Sequence, residues 1–403
     1  MGVKPAYSRQ TSDGDSPKTR EAVAETVPIS TEVIIIGAAI AGSLLALALG
    51  RRGVSVAIVD LQSVYPADFR CEKFSQTQVD LLRDARVADV FDALLPAGLT
   101  LTDVGLRYET MVNAARLAWP DTVRFVQGKA AAAVTGDDSQ RVTLADGTVL
   151  EGRLLVLATG PGERLRASLG FQRRLLRERH SLSVGFSIRG KDGGPASVQS
   201  LVRYGERAGD GIGFVSMFPL GEATRVNLFC FHDVSDAFAR EVRADPAAAL
   251  CKAIPSLPPI FDDAAIVGPV EVRSTDLYRT EGHEQPGVVL VGDAFASCSP
   301  AIGMGLTRIL AEVRQLAFTH LPAWLATPGM GADKIAEFYA DPFKRDVDGL
   351  ALRRSHTARA SATDTSLTWR AFRGLARLRR RARALAACFA PSPRPTPALE
   401  TRP

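Results

Sequence analysis

The apolar and polar positions change period several times along the chain, and each change marks an element. Val33-Ile34-Ile35-Ile36 is an unbroken β-branched run that stops at Gly37. An Ala/Leu-rich stretch follows to Gly50, and a second apolar run, Val54 to Val59, ends on Asp60. This pattern predicts strand, tight turn, helix, strand. Val33–Gly50 carries no charge and is about long enough for a membrane span. The β-branched start and the glycine break favour the βαβ unit instead. Further candidate strands are Leu182–Ile188, Val198–Tyr204, Gly213–Leu220 and Arg225–His232. The last is mostly apolar on both alternating faces, which predicts a sheet covered on both sides. Val288–Val291 reads as a buried strand entering Gly292-Asp293-Ala294, with Pro300, Gly303-Met304-Gly305 and a helical run to Leu316 beyond it. Near the end, Phe372, Leu375, Leu378, Ala382 and Leu385 recur at helical spacing with Arg between them.

Composition narrows the class. The chain has 403 residues, 46% hydrophobic and 23% charged, which excludes wholesale disorder and allows about two to three domains. Five scattered cysteines without zinc-ligand spacing point to a reducing, cytoplasmic setting. The formal net charge is +5, but seven Arg lie between Arg370 and Arg383; without them it is 5 − 7 = −2. The basic character is therefore local, and no nucleic-acid partner is expected. Residues 1–31 lack the apolar core of a signal peptide and read as a disordered tail, as does 391–403.

Gly37-Ala38-Ala39-Ile40-Ala41-Gly42 occupies the position of a dinucleotide-binding turn, with Asp60 at the end of the next strand as the ribose-binding carboxylate. A helix N-terminus there offers unpaired N–H groups to a pyrophosphate. Ala39 stands where the middle glycine of that fingerprint belongs. An Asp at position 60 disfavours a 2′-phosphate, so the nucleotide is FAD or NAD. The second Gly-rich loop, at 292–305, suits a longer ligand that needs protein from two places.

With Arg70 added, these motifs (GAAIAG, Asp60, VLVGDAFASCSPAIGMG) resemble the FAD-dependent monooxygenases of the para-hydroxybenzoate hydroxylase and ubiquinone-biosynthesis hydroxylase type. Geranylgeranyl reductases and flavin halogenases share that core. The resemblance covers about residues 31–320. It implies an α/β fold: a Rossmann-like FAD-binding domain, an inserted mixed β-sheet substrate domain and a C-terminal helical region. It implies that Gly37, Ala39, Ala41, Gly42, Asp60 and Arg70 hold the nucleotide half of FAD. Gly292, Asp293, Pro300, Gly303, Met304 and Gly305 would hold the ribityl chain and ring. Thr159, in place of the family's Asp, leaves NAD(P)H as an uncertain transient donor. No Trp motif of the halogenase kind is present.

The expected division is a tail (1–31), an FAD-binding domain (32–170 and 271–345, with part of the substrate sheet in 70–110), a substrate domain (171–270), a basic arm (346–390) and a tail (391–403). Met217, Pro219, Phe229 and Phe231 are candidate pocket residues, with plain core packing the alternative. No nucleophile motif appears; His232 and Cys298 are the weak catalytic candidates, and no metal is expected. The resemblance implies that reduced flavin reacts with dioxygen and that a flavin hydroperoxide hydroxylates or epoxidises an aromatic or hydrophobic small molecule. The alternative is an FAD-dependent reductase of a prenyl or lipid-like chain. The arm Trp369–Ala390 offers two readings: peripheral contact with an anionic membrane, or a helix whose apolar stripe packs on the body.

Overall fold

The computed structural model describes residues 27–389, apart from 195, 197–199 and 258. β1 (Ile29–Ile36) begins inside the segment expected to be tail, because Ile29, Ser30 and Thr31 pair in register with Leu150, Glu151 and Gly152. Residues 1–26 and 390–403 lie outside the described residues. From β1 the chain makes helix α1 (Ile40–Gly50) and β2 (Val56–Asp60). The short strand β3 (Cys71–Lys73) follows, then helices α2 (Gln76–Asp84) and α3 (Ala88–Asp92), β4 (Gly105–Arg107) and α4 (Tyr108–Leu117). Strands β5 (Val123–Gln127), β6 (Ala130–Val134), β7 (Gln140–Leu144) and β8 (Val149–Leu157) complete the first pass. Every residue of α1 is buried, which explains why its sequence carries no polar face. It is a core helix.

The nucleotide-binding sheet has the order β5-β2-β1-β8-β7-β6. A late strand, β14 (Val288–Leu290), returns to pair in parallel with the second half of β8. Between them lie α5 (Arg164–Ser168) and a five-stranded sheet ordered β10 (Leu201–Tyr204), β11 (Ile212–Leu220), β12 (Ala223–Cys230), β9 (Gln172–Gly190), β13 (Ala264–Glu281). β13 crosses the expected boundary at residue 270 and pairs with β9 along its whole length. Helices α6 (Ala237–Ala244) and α7 (Pro246–Ala253) cover one face of this sheet. The other face looks toward β3, where Arg225 Nη2 donates to the Phe69 carbonyl and Asn227 Nδ2 donates to Cys71 Sγ. Helices α8 (Gly305–Arg314), α9 (Leu321–Leu325), α10 (Ala332–Ala340), α11 (Pro342–Thr363) and α12 (Leu367–Phe389) close the chain.

Candidate active site

The two glycine motifs meet. Gly37 has φ +101°, and a Cβ on it would stand 2.5 Å from the Ala158 carbonyl oxygen. A Cβ on Gly42 would stand 1.9 Å from the Gly37 oxygen. Both positions are closed to any side chain, so the turn between β1 and α1 is set by close backbone approach. Asp60 braces this turn: its Oδ2 accepts the Ala38 N–H at 2.7 Å. Arg116, buried on α4, donates Nε and Nη2 to the Ala38 carbonyl and lies 3.6 Å from Asp60. Across from the turn, a Cβ built on Gly292 would sit 3.5 Å from the Ala41 methyl. The second loop is therefore packed directly on the first helix.

The backbone around Asp293 is held from every side. Gly292 N–H donates to Glu312 Oε2 at 2.6 Å. Tyr278 OH donates to the Asp293 carbonyl, and Arg166 Nη1 and Thr280 Oγ1 donate to that of Ala294. The Asp293 carboxylate has no hydrogen bond among the described residues and is exposed. Desolvation by the surrounding protein raises its pKa, against the opposing charges of Arg308, Arg70 and Arg173. Arg70 lies 3.6 Å over the Tyr108 ring, and the Tyr108 hydroxyl accepts the Ile40 N–H at the start of α1. Arg70 also grips Asp68 with two nitrogens; burial opposes, but these bonds hold Asp68 down to about 2.

The residues present fit an extended anionic cofactor. α1 and α8 both begin without a capping side chain, on Ala39 and Met304, where Ser, Thr, Asp or Asn would ordinarily satisfy the first N–H groups. Thr159 Oγ1, beside the Gly37 turn, is buried without a partner. A Cβ on Gly303 or Gly305 would meet nothing within 4 Å. Those two glycines border open space, unlike Gly37 and Gly42. Pro300 opens the short helical turn 300–302 just before them, and Met304 is buried.

The other candidates separate. Met217 is 1% exposed and belongs to the core under α6 and α7, on the face of β11 that points away from β3. Pro219 is exposed on the same alternation. Phe229 stands on the opposite face of the sheet beside Phe214, with ring centroids 4.9 Å apart. Phe231 is buried against His180. His232 is tied to the Asp210 carbonyl and to Asp236, and none of its contacts reaches the glycine loops. Burial pushes the Cys298 thiol up to about 11, so it stays protonated and packs as a small apolar group against Met304 and Ala351.

Two residues not singled out from sequence stand at the cleft. Phe69, Cys71 and Lys73 all reach the antiparallel sheet or the loop before it, Lys73 through Ser200 Oγ. By alternation, Glu72 shares the opposite side of β3 with Arg70. It makes no hydrogen bond or ion pair among the described residues, and burial pushes its pKa up to about 7 against the charge of Arg70. Ser183 Oγ, on β9, is buried without a partner. It lies between Ser181, which meets Ser299 Oγ at 3.2 Å, and Gly185, where an added Cβ would stand 3.1 Å from the Phe69 ring. A three-residue strand and an alternating serine carry no recognisable sequence signal.

Comparison with known proteins agrees with this geometry. Residues 30–167 match the FAD binding domain. The 3-demethoxyubiquinol 3-hydroxylase of Escherichia coli (strain K12) is 25% identical over 344 residues, covering 74% of this chain and 83% of the hydroxylase. Among solved structures, a p-nitrophenol 4-monooxygenase from Pseudomonas putida DLL-E4 superposes with TM-score 0.65 at 16% identity, over 85% of this chain and 92% of that one. An aklavinone-11 hydroxylase solved with FAD and aklavinone gives 0.63 at 17% identity, over 84% and 70%. The chain is thus a flavoprotein built to bind FAD. Over most of its length it is similar to FAD-dependent hydroxylases and monooxygenases. No described helix is long and apolar enough to cross a membrane.

Proposed function

We propose that the protein inserts one oxygen atom into an aromatic or similarly hydrophobic small molecule, by hydroxylation or epoxidation. The second oxygen atom of O2 leaves as water, with a hydride (two electrons and one proton) drawn from NADH or NADPH and the second proton from solvent. Bound FAD supplies the electron transfer and the activation of oxygen. The protein supplies position and surroundings. Asp293, fixed by its backbone and open at its carboxylate, is suited to the hydroxyls of the ribityl chain. The uncapped start of α8 places N–H dipoles where negative charge on a reduced ring would be stabilised. The uncapped start of α1, with Asp60 and Arg70, suits the nucleotide half. The substrate would lie against the β3-facing side of the antiparallel sheet, between Phe229, Phe214 and the unpartnered Ser183 hydroxyl.

The observation that carries this reading is the close approach of Gly292 to Ala41, which brings the loop that holds Asp293 to the uncapped start of α1. The similar proteins are named as hydroxylases of a demethoxyubiquinol and of aklavinone and as a monooxygenase of p-nitrophenol, which supports an aromatic substrate. The test is simultaneous measurement of NAD(P)H consumption, oxygen uptake and product mass with phenolic and quinol candidates. One O2 consumed per oxygenated product is expected. Product formation under strict anaerobiosis would instead establish a reductase or dehydrogenase of prenyl or lipid-like chains.

A further inference from the structure

Helix α12 does not use its apolar stripe to hold onto the body. Leu367, Ala371, Leu375, Leu378 and Ala382 follow one another at spacings of three and four, so they share one side of the helix, and all five are exposed. Leu367 is 79% exposed and Leu378 64%. The attachment is made by another side. Arg373 Nη1 donates to the carbonyls of Ser361 and Asp364, and Arg370, Arg373 and Gly374 face Glu206 and Ala208 across a groove. The expectation of a stripe packed on the body is therefore not what the fold does with these residues. The segment 367–389 contains seven Arg and no Asp or Glu.

We propose that this helix is a docking surface for an anionic lipid bilayer, lying in the plane of the interface with the leucine stripe in the acyl boundary. Charge selects this occupant. A second copy would bring seven more Arg against the first, whereas anionic headgroups complement all of them. Residues 1–26 and 390–403 contain no two neighbouring large apolar side chains. No described helix is long and apolar enough to span a bilayer, so the contact proposed for α12 is a peripheral one. The inference rests on the helix alone, so it stands or falls independently of the reaction assigned above.

The experiment is flotation of the full chain with phosphatidylcholine vesicles and with vesicles containing about a quarter phosphatidylglycerol, at about 0.1 M and about 1 M salt, where screening shortens from about 10 Å to 3 Å. Binding to the anionic vesicles at low salt and its loss at high salt are expected. Leu375→Ser/Leu378→Ser should weaken binding by about thirty- to hundredfold, from the apolar area withdrawn. Arg379→Gln should weaken it by about fivefold. Both variants change exposed side chains, and an unchanged melting temperature shows that the body is intact. Equal binding to neutral and anionic vesicles, or none to either, overturns the proposal. So does a lipid-free dimer that the leucine double variant converts to monomer, since the stripe would then be a protein interface.

Discussion

Replacing Lys344 by methionine removes one charge from a network that water barely reaches. Lys344 and Glu312 are each 1% exposed, with Nζ 2.7 Å from Glu312 Oε1 and 2.9 Å from Asp348. Arg308, equally buried, pairs with Asp348 at 2.8 Å. The group is balanced: two cations, Lys344 and Arg308, face two carboxylates, Glu312 and Asp348. Methionine keeps an apolar stem but removes the ammonium that lies over the Phe295 ring, and it leaves Glu312 without its cation. An unpaired buried charge costs about 3–5 kcal/mol. Adding Glu312→Gln restores the balance through Arg308 and Asp348, and the new amide oxygen can still accept the Gly292 N–H. The double variant should recover to within about 1–2 kcal/mol of wild type. Urea unfolding of the flavin-free protein, followed by tryptophan fluorescence, measures all three. The single variant should also be less impaired in acid, where protonation of Glu312 removes the stranded charge. A loss below about 1 kcal/mol in Lys344→Met, or a double variant no better than the single, would refute the reasoning. Because Glu312 fixes Gly292, the single variant should bind FAD more weakly than the double.

Four further outcomes are expected. His180 is fully buried with neither ring nitrogen bonded, and burial, then the charge of Arg359, push it down to about 4. The unfolded chain takes up a proton near pH 6.5 and the folded one does not. Wild type should therefore lose about 3 kcal/mol relative to His180→Phe between pH 6.5 and 4, read from urea midpoints; parallel pH profiles would contradict this. Glu72 has the opposite sign: its raised pKa lets the folded protein hold a proton that the unfolded chain releases near 4.5. Stability should fall as pH rises from about 5 to 8, and Glu72→Gln should flatten that slope in the same assay. Gly42→Ala, whose Cβ would stand 1.9 Å from a carbonyl oxygen, should cost more than about 3 kcal/mol. Gly305→Ala, with open space before it, should fold as wild type yet bind FAD about tenfold more weakly by fluorescence titration.

The first βαβ unit was legible because its constraints are local: β-branched strand, glycine turn, buried helix and terminal Asp60 lie in one short stretch. The strand entering Asp293 was legible for the same reason. β9 was only half visible. Its first residues, Gln172 to Arg179, are mostly charged and exposed, so no apolar alternation announces the pairing that β13 imposes on them. That pairing also carries β13 past residue 270. Met217 shows a second limit: period two says that alternate residues share a face, but not which face meets the cleft. The Lys344–Glu312–Asp348–Arg308 network was invisible because charged residues on two helices read as solvated surface until α8 and α11 are placed together. Glu72 gained meaning only once Phe69, Cys71 and Lys73 were seen to reach the sheet. The arm's amphipathic spacing was plain in the sequence, but only the fold shows that its stripe faces outward.

The central claim is that two segments remote in sequence, around Gly37 and Asp293, form one FAD site. An absorbance spectrum of the purified protein, with the mass of the cofactor released on denaturation, tests it most directly when wild type and Asp293→Ala are compared. Non-covalent FAD in wild type, and a folded but colourless Asp293→Ala, are the predicted results. A wild-type protein that is colourless and cannot be reconstituted with FAD, or an Asp293→Ala protein that keeps its full complement, would contradict the account.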